Sequence, residues 1–219
     1  MKKKPIYSFS KRIFDIVCSL LAILLLLLPF LIIAIAIKAD SKGPVFFKQD
    51  RIGKKKKIFK ILKFRSMYID TDPNAPTHQL GNATSHITKV GKFIRKTSID
   101  ELPQIFNIFA GQMSFVGPRP ALWNQDDLIA ERDKYHANDI KPGLTGLAQI
   151  SGRDELEIPV KAKFDGEYVK KRGFFYDISL IFRTAFSVFK HEGVVEGGTG
   201  ELEKEKKEAE KQQNKWKRY

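Results

Sequence analysis

Residues 16–37 read IVCSLLAILLLLLPFLIIAIAI, an uncharged stretch that decides where the rest of the chain can lie. At about 1.5 Å per residue, a helix of this length crosses a hydrocarbon core of roughly 30 Å. Lysines and arginines are dense on both sides, so the positive-inside rule gives a spanning helix contradictory instructions, and both ends look cytoplasmic. Pro29 kinks or breaks such a helix. Two topologies stay open: a re-entrant helix that bends at Leu28-Pro29, with Ser19 or nearby protein satisfying the freed backbone, and a kinked helix that spans the bilayer.

The basic residues are concentrated around this stretch. Residues 1–65 hold 16 lysines and arginines against three aspartates, and therefore +13 of the whole chain's net charge of +14. Lysines and arginines beside an apolar segment bind anionic lipid head groups, which explains the charge better than a nucleic acid does. The apolar run is longer than the core of a secretory signal and a very basic segment follows it, so we expect no cleavage. The single cysteine, Cys18, forms no internal disulfide, which suits a cytosolic domain.

Beyond the membrane segment, the pattern predicts an α+β domain that is mainly helical and contains one small β-hairpin. Residues 45–49 and 57–64 are expected to be the two strands of that hairpin, with lysines on its solvent face. Helical patterns cover residues 87–96 and 126–138. Residues 141–146, KPGLTG, are predicted to form a loop.

Three regions follow from this pattern. Residues 1–40 form the basic segment and the membrane helix, residues 41–198 a single cytoplasmic domain, and residues 199–219 a charged tail that is a solvated helix or a disordered end. An aromatic-rich run between residues 173 and 193 predicts a helix that packs in the core or lies in the interface plane. The long loop at residues 70–85 is either disordered or a lid.

The best-defined soluble helix is predicted for residues 98–111, SIDELPQIFNIFAG. Ser98 and Glu101 have the spacing of a capping box, although Pro103 fits the helix better if Asp100 is the cap. Two carboxylates at the start of a helix lie beside unpaired N–H groups, which is a setting that suits phosphoryl chemistry. The alternative is that one carboxylate caps the helix and the other only lies on its surface.

Basic side chains next to rigid turns accompany this acidic pair. Guanidinium groups hold phosphate oxygens bidentately, so together these side chains would suit the pyrophosphate of a sugar nucleotide. Any one of them alone is more simply explained as a surface ion pair. The set consists of Lys63, Arg65, Arg95, Arg119 and Arg153.

Four motifs in order make the sequence recognisable. They are KFRSM at 63–67, TSIDELPQ at 97–104, VGPRP at 116–120, and PGLTGL through SGR at 142–153. Behind an apolar segment, they resemble the bacterial sugar transferases called monotopic polyprenol-phosphate phosphoglycosyl transferases. The resemblance implies a re-entrant helix packed on one catalytic domain with interfacial amphipathic helices, at the cytoplasmic face of the bacterial inner membrane. The family breaks its helix at a Ser-Pro pair, whereas this chain has a Leu-Pro pair.

The resemblance also implies a reaction. Asp100 would attack the β-phosphate of a UDP-sugar, release UMP and become an aspartyl-phosphosugar, and Glu101 would help to deprotonate the incoming polyprenol (undecaprenyl) phosphate. Mg²⁺ is implied as the cofactor, neutralising the pyrophosphate and contacting Asp100. Substrate contacts are expected at the five basic residues above and at Pro118, Asp165 and Tyr168.

The expected partners are therefore a UDP-sugar, polyprenol phosphate and membrane phospholipid, in the first membrane step of surface glycan assembly. A homo-oligomer stays open. The rival interpretation is a membrane-anchored binding module without enzymatic activity, which would explain the charge but not four catalytic-type motifs in order.

Overall fold

The computed structural model describes residues 4–71, 86–152 and 156–189. Seven helices and four short strands lie in this part of the chain, which agrees with a mainly helical α+β domain. Most of the 70–85 loop, the end of the aromatic-rich run and the charged tail lie outside the described residues. In chain order the elements are α1 (Pro5–Asp40), β1 (Phe46–Ile52), β2 (Ile58–Phe64), α2 (Lys89–Lys96), α3 (Gln104–Phe109), β3 (Ser114–Val116), α4 (Asp126–Asp133), β4 (Gly143–Thr145), α5 (Leu147–Ile150), α6 (Ile158–Lys171) and α7 (Phe174–Phe189).

Helix α1 contains the apolar stretch and extends beyond it at both ends. Pro5 occupies its first turn, where a missing N–H costs nothing, and Pro29 lies inside it. Its buried side chains fall on one face, and most of its leucines and isoleucines are exposed; Leu25, for example, is 77% exposed. It is the one helix in the described ranges that is long and apolar enough to cross a membrane. This exposed apolar surface indicates that the chain associates with a membrane.

The N-terminal half of α1 is bound to the domain by charged side chains. Lys11 Nζ lies 2.5 Å from Asp177 Oδ2 on α7. Arg12 donates hydrogen bonds of 2.8 Å to the carbonyl oxygens of Ile108 and Phe109, which satisfies the C-terminal end of α3. These contacts hold the start of the helix against α3 and α7.

The C-terminal half of α1 packs on the same domain. The Phe30 ring meets Phe64 edge-on at a centroid distance of 5.2 Å and lies 5.9 Å from Phe106 of α3. Asp40 Oδ2 accepts a 2.8 Å hydrogen bond from the backbone N–H of Val90, at the start of α2. Both halves of α1 therefore contact the domain, and α3 meets each of them.

The β-hairpin predicted from the sequence is confirmed. Strands β1 and β2 pair antiparallel from Phe46 opposite Phe64 to Ile52 opposite Ile58. Lys48 and Lys60 lie on its exposed face, as expected, whereas Lys63 is largely buried.

The predicted KPGLTG loop is in part a strand, which corrects the sequence interpretation. Gly143–Thr145 forms β4, which pairs parallel with β3. The pairing brings two backbones so close that a Cβ on Gly143 would lie 2.1 Å from the nitrogen of Gly117. The glycines of this segment suggested a loop in the sequence, but in the structure they allow the two backbones to pack closely.

Three apolar clusters form the core of the described part of the chain. The first joins α1 to β2 and α2, so the membrane helix and the domain share buried surface. The second packs β2 on α3, and the third packs α5, α6 and α7 on β3. Their buried members are Phe30, Ile37, Phe64 and Ile94; Phe59, Ile61, Ile108 and Met113; and Val116, Leu147, Tyr168 and Leu180.

The predicted helix over residues 98–111 is wrong at its start. Ser98 has a φ of 56° and its side chain caps nothing, so the capping box is not formed. Residues Ile99–Glu101 form one 3₁₀ turn, and α3 begins after Pro103. The proline explains the boundary, because it lacks the N–H that an interior position of a longer helix would use.

Two further expectations are corrected. Helix α4 ends at Asp133 rather than at residue 138, and His136 with a φ of 58° separates it from a short 3₁₀ turn. Ser19 does not serve the backbone near Pro29, because its hydroxyl donates to the carbonyl oxygens of Asp15 and Ile16 at 2.5 and 3.1 Å. A serine four residues after a carbonyl bonds back to its own helix.

The predicted aromatic-rich helix is confirmed as α7, and it packs on the core; its position in the interface plane stays a prediction. Leu180 is fully buried against the domain. Phe175, Phe182 and Phe186 lie on the opposite side, between 62% and 86% exposed. The helix thus packs with one face and presents aromatic rings on the other.

Candidate active site

The two adjacent carboxylates lie on the 3₁₀ turn between α2 and α3. The turn is closed by a backbone hydrogen bond from Glu101 N to the carbonyl oxygen of Ser98. It packs against α2 and β2, so the end of the hairpin strand reaches the carboxylates. Adjacent residues on such a turn point in different directions, and Asp100 and Glu101 accordingly have different surroundings.

Glu101 is bound by two cations. Lys63 Nζ lies 2.8 Å from Oε1, and Arg119 approaches both carboxylate oxygens, with Nη2 2.8 Å from Oε1 and Nη1 3.2 Å from Oε2. Burial favours the protonated form, but the charges of Arg119 and Lys63 outweigh it and hold the pKa of Glu101 well below its usual range. Glu101 is therefore an ionised carboxylate, and both of its oxygens accept hydrogen bonds from these cations.

The Asp100 carboxylate is buried next to the cations that bind Glu101. Its residue is 8% exposed, and no ion pair joins its carboxylate to another residue in the described part of the chain. Burial raises the pKa of Asp100; the charge of Lys63 opposes this rise, and the charge of Glu101 adds to it. Arg95, in the last turn of α2, and Arg119 contribute smaller opposing effects. The result is a basic carboxylate beside a cluster of positive charge.

A buried ion pair fixes the loop that carries Arg119. Arg132 on α4 lies 2.7 Å (Nε) and 2.6 Å (Nη2) from Asp165 Oδ2 on α6, and both side chains are at most 4% exposed. The third guanidinium nitrogen, Nη1, donates a 2.9 Å hydrogen bond to the carbonyl oxygen of Arg119. Arg51 Nη1 donates to the next carbonyl, that of Pro120, at 3.0 Å. Two arginines thus hold the backbone on which Arg119 reaches Glu101.

Several predicted site residues have their side chains elsewhere. Arg65 is 5% exposed, and its guanidinium donates to the carbonyl oxygens of Ser41 and Lys42 at the end of α1. Tyr168 is buried, with its hydroxyl 2.9 Å from Asp177 Oδ1 and 3.2 Å from the carbonyl oxygen of Val116. The Tyr168 contacts tie α6 to β3 and α7, and the Arg65 contacts tie the end of the hairpin to the segment after α1.

The remaining predicted residues differ in position. Pro118 is buried, and its carbonyl oxygen accepts a hydrogen bond from Gly143 N at 2.9 Å, which links the VGPRP motif to β4. Arg95 is half-buried near the carboxylates. Arg153 lies outside the described residues. The structure therefore brings Lys63, Arg95 and Arg119 to the acidic pair.

Sequence reasoning missed two residues that build the site. Arg132 lies in a polar helix, where its charge gave no sign of burial. Asn107 clamps α3 to β2, since its Oδ1 accepts from Leu62 N at 2.9 Å and its Nδ2 donates to the carbonyl oxygen of Lys60 at 2.8 Å. An asparagine within an apolar helical run was a readable signal for such a clamp.

The donor set limits how a metal could bind. No group of three or more histidines, cysteines, aspartates or glutamates converges anywhere in residues 4–71, 86–152 and 156–189. Asp100 offers one carboxylate, and Glu101 is already bound by cations. Mg²⁺ commonly takes one or two carboxylates and completes its shell with water and substrate phosphates. These residues fit a Mg²⁺ site that the substrate completes, and do not fit a site made by protein alone.

Comparison with known proteins places the chain among transferases. A family described as bacterial sugar transferase matches residues 6–191. The UDP-galactose-lipid carrier transferase of Erwinia amylovora is 40% identical over 206 residues, covering 84% of this chain and 41% of that protein. The UDP-glucose:undecaprenyl-phosphate glucose-1-phosphate transferase of Klebsiella pneumoniae is 40% identical over 192 residues, covering 82% and 40%. The exopolysaccharide production protein ExoY of Rhizobium meliloti is 37% identical over 196 residues, covering 83% and 86%.

This chain spans about two fifths of the length of the first two relatives and most of the length of the third. The match runs through α1 and all four motifs, so the resemblance inferred from those motifs is confirmed. The chain belongs to the bacterial sugar transferase family.

Proposed function

We propose that this protein is a phosphoglycosyl transferase that moves a sugar 1-phosphate from a UDP-sugar to polyprenol phosphate at the membrane. The observation that carries the proposal is the buried Asp100 carboxylate, which forms no ion pair with any described residue, next to the Lys63–Glu101–Arg119 cluster. A basic carboxylate beside phosphate-binding cations has the properties of a nucleophile for phosphoryl transfer. The relatives include an undecaprenyl-phosphate galactose phosphotransferase and a UDP-glucose:undecaprenyl-phosphate glucose-1-phosphate transferase, which supports the same reaction.

The reaction proceeds as two in-line displacements. An Asp100 carboxylate oxygen attacks the β-phosphorus, the bond from that phosphorus to the bridging oxygen breaks, and UMP leaves with the electron pair. Asp100 then carries the sugar phosphate as an acyl phosphate. A phosphate oxygen of polyprenol phosphate attacks the same phosphorus, which frees Asp100 and gives a polyprenyl diphosphate sugar.

Lys63 and Arg119 have different partners in the free protein and in the substrate complex of this scheme. In the free protein, Lys63 and Arg119 neutralise Glu101. A bound diphosphate offers them competing oxygens, and each contact that they transfer to the substrate raises the basicity of Glu101. Glu101 could then accept a proton from the incoming acceptor phosphate. When bound, Mg²⁺ would supply charge neutralisation for the diphosphate, with Asp100 as the protein ligand.

The proposed topology is re-entrant. Lys4 donates a 2.7 Å hydrogen bond to the carbonyl oxygen of Arg172, and Asp40 accepts one from Val90, so both ends of α1 bind the same domain. A helix that spanned the bilayer would separate its ends by about 30 Å of hydrocarbon. The contacts at both ends support a bend near Pro29, with the domain on the cytoplasmic face. The exposed rings of α7 support an interfacial position for that helix.

A UMP-release assay separates this proposal from the binding-module alternative. Membranes that contain the full chain would be incubated with undecaprenyl phosphate and a panel of UDP-sugars. The proposal predicts UMP and a lipid-linked sugar with at least one donor. Folded protein that released no UMP with any donor would favour the binding module.

A further inference from the structure

Helix α7 carries a charged side chain at the edge of its exposed aromatic face. Phe175, Phe182 and Phe186 are spaced by seven and four residues, so they lie on one side of the helix. Arg183 is exposed beside Phe182 and has no ion pair or hydrogen bond within the described ranges. Most isolated surface arginines lie in polar surroundings, and this one lies among phenylalanines.

A depression of about 360 Å³ surrounds this arginine. Its lining is Ile150, Phe182, Arg183, Phe186 and Ser187. Arg183 and Ser187 are four residues apart, so a guanidinium and a hydroxyl face the depression from adjacent helical turns. None of the described residues that line it is a carboxylate. A cation and a hydroxyl donor flanked by apolar rings suit a phosphate group attached to a hydrocarbon chain.

The position of α7 indicates that the ligand comes from the membrane. The Phe174 ring at its start meets Phe14 of the membrane helix edge-on, with centroids 5.9 Å apart. The start of α7 therefore lies against α1, whose leucines and isoleucines are mostly exposed. Arginine side chains at such a boundary keep the guanidinium at the depth of the lipid phosphates.

The described residues that line the depression differ from those that surround the acidic pair. Helix α7 packs on α1, α5, β3 and β4, whereas the turn with Asp100 packs on α2 and β2. An acceptor phosphate must reach Asp100 to react, so a phosphate held by α7 belongs to a different lipid. We propose that Arg183 and Ser187 form a binding site for the head-group phosphate of an anionic phospholipid.

The test measures lipid retention by the full chain in detergent, using native mass spectrometry with increasing dioctanoyl phosphatidylglycerol. Arg183→Gln should weaken the apparent affinity about fivefold relative to wild type. Lys170→Gln is the matched control, because it removes one exposed positive charge from α6 outside the depression, and it should retain wild-type affinity. Dioctanoylglycerol, which lacks the phosphate, should not distinguish wild type from Arg183→Gln.

Three results would overturn the proposal. Arg183→Gln could bind phosphatidylglycerol as tightly as wild type does. Lys170→Gln could weaken binding equally, which would indicate general charge attraction. A short-chain polyprenol phosphate could displace phosphatidylglycerol at lower concentration than phosphatidylglycerol itself requires, which would identify an acceptor site. The measurement needs no turnover, so its outcome is independent of the transferase assay.

Discussion

Arg132 Nη1 donates a 2.9 Å hydrogen bond to the carbonyl oxygen of Arg119. This bond connects the buried ion pair between α4 and α6 to an arginine of the candidate active site. Asp165 neutralises the Arg132 guanidinium at 2.6–2.7 Å. Asp165, which the family resemblance suggested as a substrate contact, therefore acts through Arg132 in the structure. We describe both as positioning residues for Arg119.

Asp165→Asn tests this arrangement. The substitution leaves the Arg132 charge buried without its partner, so the free energy of unfolding should fall by about 3 kcal/mol. The displaced Arg119 backbone should also raise KM for the UDP-sugar. Denaturant unfolding of the full chain in detergent and UMP-release kinetics measure the two effects. Glu167→Gln on the same helix breaks only an exposed ion pair with Lys171 and should change neither. Wild-type KM in a destabilised but folded Asp165→Asn protein would show that the pair is structural only.

The raised pKa of Asp100 predicts a pH dependence. Only the ionised carboxylate is a nucleophile, so kcat/KM for UMP release should fall as pH decreases through a pKa above the ordinary 3.8. Lys63 is the largest charge that opposes the rise. Lys63→Met should therefore move this acid limb to higher pH, and Lys63→Arg should restore it. An acid limb that does not move with Lys63→Met would assign it to another group.

Cysteine labelling tests the membrane topology. Lys4→Cys and Lys42→Cys, each in a Cys18→Ser background, place a thiol at either end of α1. A membrane-impermeant maleimide added to intact cells should modify neither position, and both should react after permeabilisation. Modification of either position from outside the cell would contradict the re-entrant topology and favour a helix that spans the bilayer.

The sequence predicted much of the site because its chemistry is local. Exposed and buried side chains alternate along the hairpin, which makes its strands recognisable. The acidic pair, Lys63 and Arg119 lie in short motifs beside turns. Arg65 has the same sequence features, but its guanidinium binds carbonyl oxygens in the segment just after α1. Charge alone does not indicate which group a side chain will face after folding.

The errors came from tertiary packing and from one proline. Arg132 is buried only because α4 packs on α6, a contact between segments far apart in sequence. The capping box failed because Pro103 starts α3 later than the spacing of Ser98 and Glu101 suggested. Part of KPGLTG is a strand because it pairs with β3, whose backbone lies very close. The glycine content of the segment does not reveal this pairing.

The nucleophile assignment is tested most directly by incubating the full chain with a productive UDP-sugar in the absence of acceptor. Wild type should release about one UMP per enzyme and gain the mass of one sugar phosphate on Asp100. Glu101→Gln should still trap the phosphosugar, because the first displacement does not need its base. Asp100→Asn should give neither UMP nor a mass increase, and UMP turnover by the Asp100→Asn protein would contradict the account.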